Sequence, residues 1–208
     1  MAALDCLLDG SGLKASSINS ETALATGGLD AFYTVLDRAP EVEDPRLSTL
    51  LGYWRGKRGQ RSLPAFRDID PIDIPGLLSY LWIHDYDPET DRFRCRLMGE
   101  SVRSAYDMKV TGLDVEEIVT KSAYPVVAAR YRAVVTMPAV AHGVGRIYGH
   151  TIGRVGLGER LYLPLADDEG RARMIIGATI YRVAVDRPAD AEPRGETPLD
   201  TLTPVDLV

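Results

Sequence analysis

The spacing of apolar positions changes several times along the chain, and each change marks an element. In residues 45–57, Leu47, Leu50, Leu51 and Trp54 recur at helical spacing, while Arg46, Thr49 and Arg55 lie opposite. This stretch reads as an amphipathic helix with one apolar stripe. Asp44-Pro45 opens it, an N-cap followed by proline at the first helical position, where the missing N–H costs nothing. A short helix is expected before it, over residues 29–36. After it, residues 64–75 are a proline- and aspartate-rich linker, with a helical turn near 75–80. Alternation then predicts a strand pair, residues 81–86 and 93–98. Asp87-Pro88-Glu89-Thr90-Asp91 supplies the turn chemistry between them.

Gly99 interrupts the second strand, and residues 100–106 read as a short helix, with a further turn over 115–120. Residues 124–136 form a longer helix, with Val127, Ala128, Tyr131 and Val134 on one face and Pro138 closing it. Three strands end the domain: residues 139–148, 160–166 and 172–183. The last two are joined as a tight hairpin by Asp167-Asp168-Glu169-Gly170. Runs of adjacent strands imply antiparallel pairing with helices gathered on a face, an α+β protein and not a doubly wound parallel sheet. Residues 1–28 are small, polar and weakly periodic, a flexible leader. Residues 185–208 carry Pro188, Pro193, Pro198 and Pro204 among acidic residues. Proline removes a backbone donor and fixes φ, so this tail is expected not to continue the sheet. The folded unit is then residues 29–184.

The wording of the chain narrows the fold. Trp54 is followed by Gly59, Leu63-Pro64 and Arg67. Asp68-Ile69-Asp70-Pro71 and Ile74-Pro75-Gly76-Leu77-Leu78 come next. Phe93-Arg94-Cys95-Arg96-Leu97-Met98-Gly99-Glu100-Ser101 spans the second strand and its exit. Thr111-Gly112-Leu113-Asp114, Leu161-Tyr162-Leu163-Pro164-Leu165 and Ile176-Gly177-Ala178 complete the string. Together, over residues 45–183, these short matches resemble a branch of the PAS superfamily common in alphaproteobacteria. The resemblance implies a five-stranded antiparallel sheet with helices on one face and the N-terminal amphipathic helix covering the other. It implies a sensory or regulatory role, and it assigns neither a ligand nor catalytic residues.

Alternation sorts the strand side chains into two faces. Leu81 and Ile83 oppose Trp82, His84 and Tyr86. Phe93, Cys95 and Leu97 oppose Arg94 and Arg96. Leu161, Leu163 and Leu165 oppose Tyr162 and Pro164. The last strand is apolar on both sides, so both faces of the sheet are covered. Beneath the helices of a PAS fold a small-molecule cavity opens. Its candidate wall residues are Leu81, Ile83, Phe93, Cys95, Tyr106, Tyr124, Tyr131, Leu163 and Ile176; the alternative is that they simply fill a core. An aromatic surface of Trp82, Tyr86, Tyr162 and Tyr181 would be a large apolar patch if left open. Leading helices of PAS domains often mediate dimers. Leu47, Leu50, Leu51 and Trp54, with Trp82, Tyr162 and Tyr181, are therefore the expected interface of a homodimer.

The chain has 208 residues and a net charge of −6. That sign argues against broad binding to nucleic acid or to acidic membranes. A basic run, Arg55, Lys57, Arg58, Arg61 and Arg67, is followed by Asp68 and Asp70 and reads as a solvated helix end. Cys6 and Cys95 form no Cys-x-x-Cys pair, so neither a disulfide framework nor a zinc knuckle is indicated. The first ten residues lack a basic n-region, and no apolar run approaches the roughly 20 residues of a membrane helix. The cytoplasm is the expected compartment.

Specific chemistry is sparse. His84, His142 and His150 lack the spacing of a helical metal pair. Asp85, Asp87, Glu89 and Asp91 resemble the start of a calcium loop, but Thr90 and Arg96 stand where the turn glycine and closing glutamate belong. Gly143, Gly145, Gly149, Gly153, Gly156 and Gly158 form a glycine-rich stretch without a phosphate-loop ending, read as a flexible loop between strands. There is no Gly-x-Ser-x-Gly elbow. An enzyme would have to use Arg94, Arg96, His84 and Asp85, of which Arg96 with Asp85 or Glu100 is more simply an ion pair. The asparagine–cysteine–arginine motif of flavin-adduct photosensors is absent, and so is a histidine on helix 124–136, where haem-binding PAS domains carry their ligand. The cofactor, if any, is unknown. The sequence supports a sensory or regulatory module that binds a small molecule, a signalling protein partner, or both. A ligand-free dimerisation module is the alternative, and an unrecognised enzyme the third reading.

Overall fold

In chain order the elements are β1 (Thr34–Val35), α1 (Pro45–Arg58), β2 (Leu81–Asp87), β3 (Arg92–Met98), α2 (Glu100–Arg103), α3 (Val115–Ile118), α4 (Tyr124–Thr136), β4 (Ala139–Ile147), β5 (Val155–Ala166), β6 (Ala172–Val185) and β7 (Leu199–Pro204). Short 3-10 turns fill the linker between α1 and β2 and follow β7. The computed structural model describes residues 33–106, 108–147, 155–185 and 199–208. The leader expected over residues 1–28 lies outside the described residues.

Local chemistry sets the boundaries. The Asp44 carboxylate accepts from Arg46 N at 2.9 Å and caps α1, which ends at Gly59 with φ +56°. Arg55, Lys57 and Arg58 fall in its last turn, where positive charge complements the helix dipole. The same basic run is neutralised locally. Lys57 pairs with Asp73 at 2.9 Å, Arg61 with Asp68 at 2.7 Å and Arg67 with Asp168 at 2.8 Å. Between β2 and β3, the Asp87 carboxylate accepts from Glu89 N at 2.9 Å, and Asp91 takes the left-handed φ of 53° that closes the turn.

The sheet has seven strands in the order β1-β7-β4-β5-β6-β2-β3. The inner five, β4-β5-β6-β2-β3, are antiparallel throughout. Beyond β4 lie two more strands than the five expected. β7 pairs antiparallel with β4, and β1 pairs parallel with β7. Two expectations are corrected here. Residues 34–35, placed in a short helix, are extended. The tail, expected not to continue the sheet, contributes β7 over residues 199–204. The proline argument fails because Pro198 precedes the strand and Pro204 is its last residue, so no inner ladder bond is lost. The rest of the tail, residues 186–198, lies outside the described residues.

Each face of the sheet carries its own core. On one, Leu47, Leu50, Leu51 and Trp54 of α1 pack on Leu161, Leu163, Leu165, Ile176, Ala178 and Ile180. Leu47, Leu50 and Trp54 are 0% exposed, and each such leucine contributes about 1.5–3 kcal/mol of burial. Trp54 Nε1 donates to the Pro164 carbonyl at 2.8 Å, which satisfies the indole inside an apolar layer. On the other face, α2, α3 and α4 cover Trp82, Phe93, Tyr162 and Ile175, with Tyr131 and Val134 reaching down from α4. Among the described residues, no helix is long and apolar enough to cross a membrane.

Candidate functional site

Beneath α2, α3 and α4 lies a cavity of about 50 Å³. The sheet supplies Trp82 and His84 from β2, Arg160 and Tyr162 from β5, and Thr179 and Tyr181 from β6. The helical side supplies Val102, Tyr106, Val115, Ile118, Val127, Arg130 and Tyr131. Its floor is an aromatic cluster. Trp82 and Tyr131 stack at 5.7 Å and 13°, Tyr162 meets Trp82 edge-on at 5.1 Å, and His84 lies 5.0 Å from Trp82 and 5.2 Å from Tyr131.

The polar groups in this wall are only partly satisfied. Trp82 Nε1 donates to Thr179 Oγ1 at 3.0 Å, and Arg130 donates to the Tyr162 hydroxyl at 3.2 Å while lying over its ring at 5.5 Å. Among the described residues, the buried Nδ1 of His84, Nε of Arg130 and hydroxyl of Tyr181 have no partner. Buried polar atoms without partners are rare, and a group reaching into the cavity would find them waiting. Burial pulls the His84 imidazole down to about 3, so it is neutral, and pushes the Tyr181 phenol up to about 12. The Tyr131 phenol is held well above its usual range, again by burial.

Behind the cavity, two arginines converge on one carboxylate. Arg130 of α4 and Arg160 of β5 are 3% exposed in their side chains, and Asp200 of β7 is 2% exposed. Arg160 donates to Asp200 Oδ1 at 2.7 Å, and Arg130 donates to Asp200 Oδ2. Burial alone would lower the Arg130 pKa, but Tyr162 and Asp200 beside it raise it, so the guanidinium stays charged. The meeting requires Gly143 of β4, which pairs with Asp200 across the strands. A Cβ at that position would sit 1.9 Å from Asp200 Oδ1. This corrects the loop expected from the glycine-rich stretch: Gly143, Gly145, Gly156 and Gly158 lie in paired strands. Gly149 and Gly153 lie outside the described residues.

Next to Arg160, Glu159 serves the other face. It is 0% exposed and receives four donors. Oε1 accepts from Glu43 N at 2.9 Å and lies 2.8 Å from His142 Nε2; Oε2 accepts from Asp44 N at 3.0 Å and from Arg182. Glu159 thereby pins the start of α1 to the sheet. Successive residues of one strand hold the cavity arginine and the anchor of the leading helix.

The sequence-derived site divides unevenly. Tyr106 and Tyr131 line the cavity. Leu81, Ile83, Leu163 and Ile176 do not: they belong to the core under α1. Phe93 is packed beside Tyr131 and Tyr86, Cys95 is buried in a separate small cluster with Val110 and Ile118, and Tyr124 packs at the margin of the helical core. The two faces are exchanged relative to the expectation: the aliphatic one packs against the apolar stripe of α1, the one with Trp82, His84, Tyr162 and Tyr181 faces the cavity, and within β3 a bulge shifts the pattern further. His84 pairs with Cys95 but Ile83 with Leu97, so Arg96 is the extra residue and Phe93 shares a face with Tyr86 instead of Leu81. Burial pushes the Cys95 thiol up to about 11. The residues expected at a dimer interface are covered from within the chain. Leu47, Leu50, Leu51 and Trp54 are buried under α1, and Trp82, Tyr162 and Tyr181 face the cavity.

Arg130, Arg160, Asp200 and Glu159 are not among the sequence-derived candidates, though signals exist for the two arginines. Arg130 stands on the apolar face of its helix between Val127 and Val134, and Arg160 alternates in step with Tyr162. The suggested enzymatic group is dispersed: Arg96 donates to Asp85 at 2.8 Å at the sheet edge, while His84 faces the cavity. Among the described residues, no cluster of three His, Cys, Asp or Glu side chains could hold a metal ion.

A five-stranded antiparallel core with short helices and one longer helix roofing a small cavity defines an α+β fold consistent with a PAS domain. The PAS domain family matches residues 42–180, and the chain belongs to that family. No curated protein matches the chain. The match covers α1 through most of β6, so β1 and β7 lie outside it.

Proposed function

We propose that this PAS domain is a cytoplasmic sensory or regulatory module that takes a small molecule into the cavity under α2, α3 and α4 and signals through protein contacts. The observation that supports this reading most is the pair of unpartnered polar atoms in the aromatic wall, His84 Nδ1 and the Tyr181 hydroxyl. They offer a ligand two directional contacts inside a largely aromatic wall, which is how small-molecule sites achieve orientation. A ligand switches a protein only through different affinity for two states. Here the link between states is β5, where Arg160 meets the cavity and Glu159 holds the start of α1. The solvent-facing side of α1, with Arg46, Thr49 and Arg55, is the proposed output surface, toward a signalling partner or a second copy of the chain.

One observation favours a second reading, a ligand-free interaction module. The cavity of about 50 Å³ is small beside the roughly 150 Å³ of an apolar cavity that takes up benzene. Native mass spectrometry of the purified chain, beside its denatured mass, separates the two. The sensor reading expects a reproducible excess mass on the native peak, and thermal stabilisation on adding the identified molecule back. A bare native mass, with no stabilisation by any compound of a metabolite library, would leave only the interaction module. The same spectrum reads monomer or dimer directly.

A further inference from the structure

Among the described residues, the cavity wall contains two arginines and no carboxylate. Asp200 reaches both guanidiniums from behind, and it comes from a strand outside the family match. We infer that the Arg130 and Arg160 pair is a carboxylate-recognition site that Asp200 occupies in the resting state, and that a small aromatic carboxylate entering the cavity displaces Asp200 and frees β7 from the sheet edge. This rests on the cavity being a ligand site, as proposed above.

Three observations carry it. The first is chemical class. Guanidinium forks match carboxylates, and the neighbouring Trp82, Tyr131 and Tyr162 rings offer planar contact to an aromatic body. The second is space. A cavity of about 50 Å³ admits water but no ring, so binding must move a wall. Arg130 belongs to α4 and Asp200 to β7, and their ion pair ties the helical roof to the sheet edge. Transferring Arg130 from Asp200 to a ligand loosens that tie in the act of binding. The third is what Asp200 leaves behind. Once its partners turn away, its carboxylate is buried beside Gly143 without compensation, and a buried unpaired charge is expelled. Among the described residues β1 pairs with β7 alone, so it leaves with β7.

The test uses the full chain with benzoate and with its uncharged counterpart benzamide. Binding is read by the change in tryptophan fluorescence, to which Trp82 in the cavity wall contributes beside Trp54, and amide hydrogen exchange is followed over residues 199–204. The inference expects benzoate to bind at least about tenfold more tightly than benzamide and to raise exchange in residues 199–204. Asp200→Asn, checked for folding by its thermal transition, should bind benzoate about tenfold more tightly than wild type, because the competing carboxylate is gone. Benzoate binding with residues 199–204 still protected would overturn the release. Equal binding of benzamide, or no binding of benzoate to either form at millimolar concentration, would overturn the carboxylate site. The native mass measurement stands apart from all of these: a co-purified neutral molecule would refute this inference and leave the sensor reading intact.

Discussion

Replacing Glu159 by alanine tests how α1 is held to the sheet. Its carboxylate is 0% exposed and receives backbone N–H groups of Glu43 and Asp44, at 2.9 and 3.0 Å, together with His142 and Arg182. Arg182 is 39% exposed in its side chain and pairs with Glu43 at 3.0 Å, so it keeps a partner and solvent when Glu159 is removed. The Asp44 N–H and the His142 ring are buried and keep nothing comparable. Each stranded donor costs about 1–3 kcal/mol, and breaking one side of a buried charged network costs about 3–5 kcal/mol in total. Glu159→Ala is therefore expected to lose about 4 kcal/mol in urea unfolding, with a fall in Tm of roughly 10 °C. Hydrogen exchange should rise first in the opening turn of α1. Glu41→Gln, an exposed neighbour, should stay within about 0.5 kcal/mol of wild type. A loss below about 1 kcal/mol in Glu159→Ala, with the start of α1 still protected, would refute the anchor.

Three further outcomes follow from other contacts. The folded-state pKa of His84 lies at about 3, below its unfolded value of about 6.5, so its share of stability is complete above pH 6.5 and is lost as pH falls toward 3. Between pH 6 and pH 4.5, wild type should lose about 2 kcal/mol more than His84→Gln in urea unfolding, and parallel pH profiles would contradict the buried neutral ring. Gly177→Ala would place a Cβ 2.2 Å from the Trp82 ring; about 1–3 kcal/mol of destabilisation and an altered Trp82 emission are expected, and an unchanged spectrum would sink that packing. Trp54→Phe removes the 2.8 Å bond to the Pro164 carbonyl and part of the core volume, and should cost about 2–3 kcal/mol by chemical denaturation; near-neutrality would show the indole is not held there.

The helices and inner strands were legible because their signals are local. Residues 124–136 show helical periodicity and form α4 with those bounds, and Leu47, Leu50, Leu51 and Trp54 face the sheet as their spacing implies. The assignment of faces was not legible. The bulge at Arg96 inserts one residue without any glycine or proline to announce it, and a period-2 pattern reverses across such a point. β7 escaped notice for a different reason: its pairing with β4 is long-range, and prolines near it outweighed the alternation of Leu199, Thr201 and Thr203 with Asp200 and Leu202. The charged part of the site has no local signature, because a buried arginine is defined by its distant partner. Asp200 receives both Arg130 and Arg160, and a partner 70 residues away in one case and 40 in the other leaves no trace in either local sequence.

That separation has a consequence for how the chain is made. Asp200 leaves the ribosome 40 residues after Arg160 and 70 after Arg130. At about 5–20 residues per second, the nascent chain spends roughly 2–8 s with Arg160 already synthesised and Asp200 not yet available. During that interval the helical core can collapse over its aromatic floor, but closing it means enclosing two guanidiniums ahead of the carboxylate that joins them. The edge strand thus ties the completion of the interior to a segment made after the rest of the sheet, and a chain truncated before residue 200 is expected to leave Arg130 and Arg160 without this counter-ion.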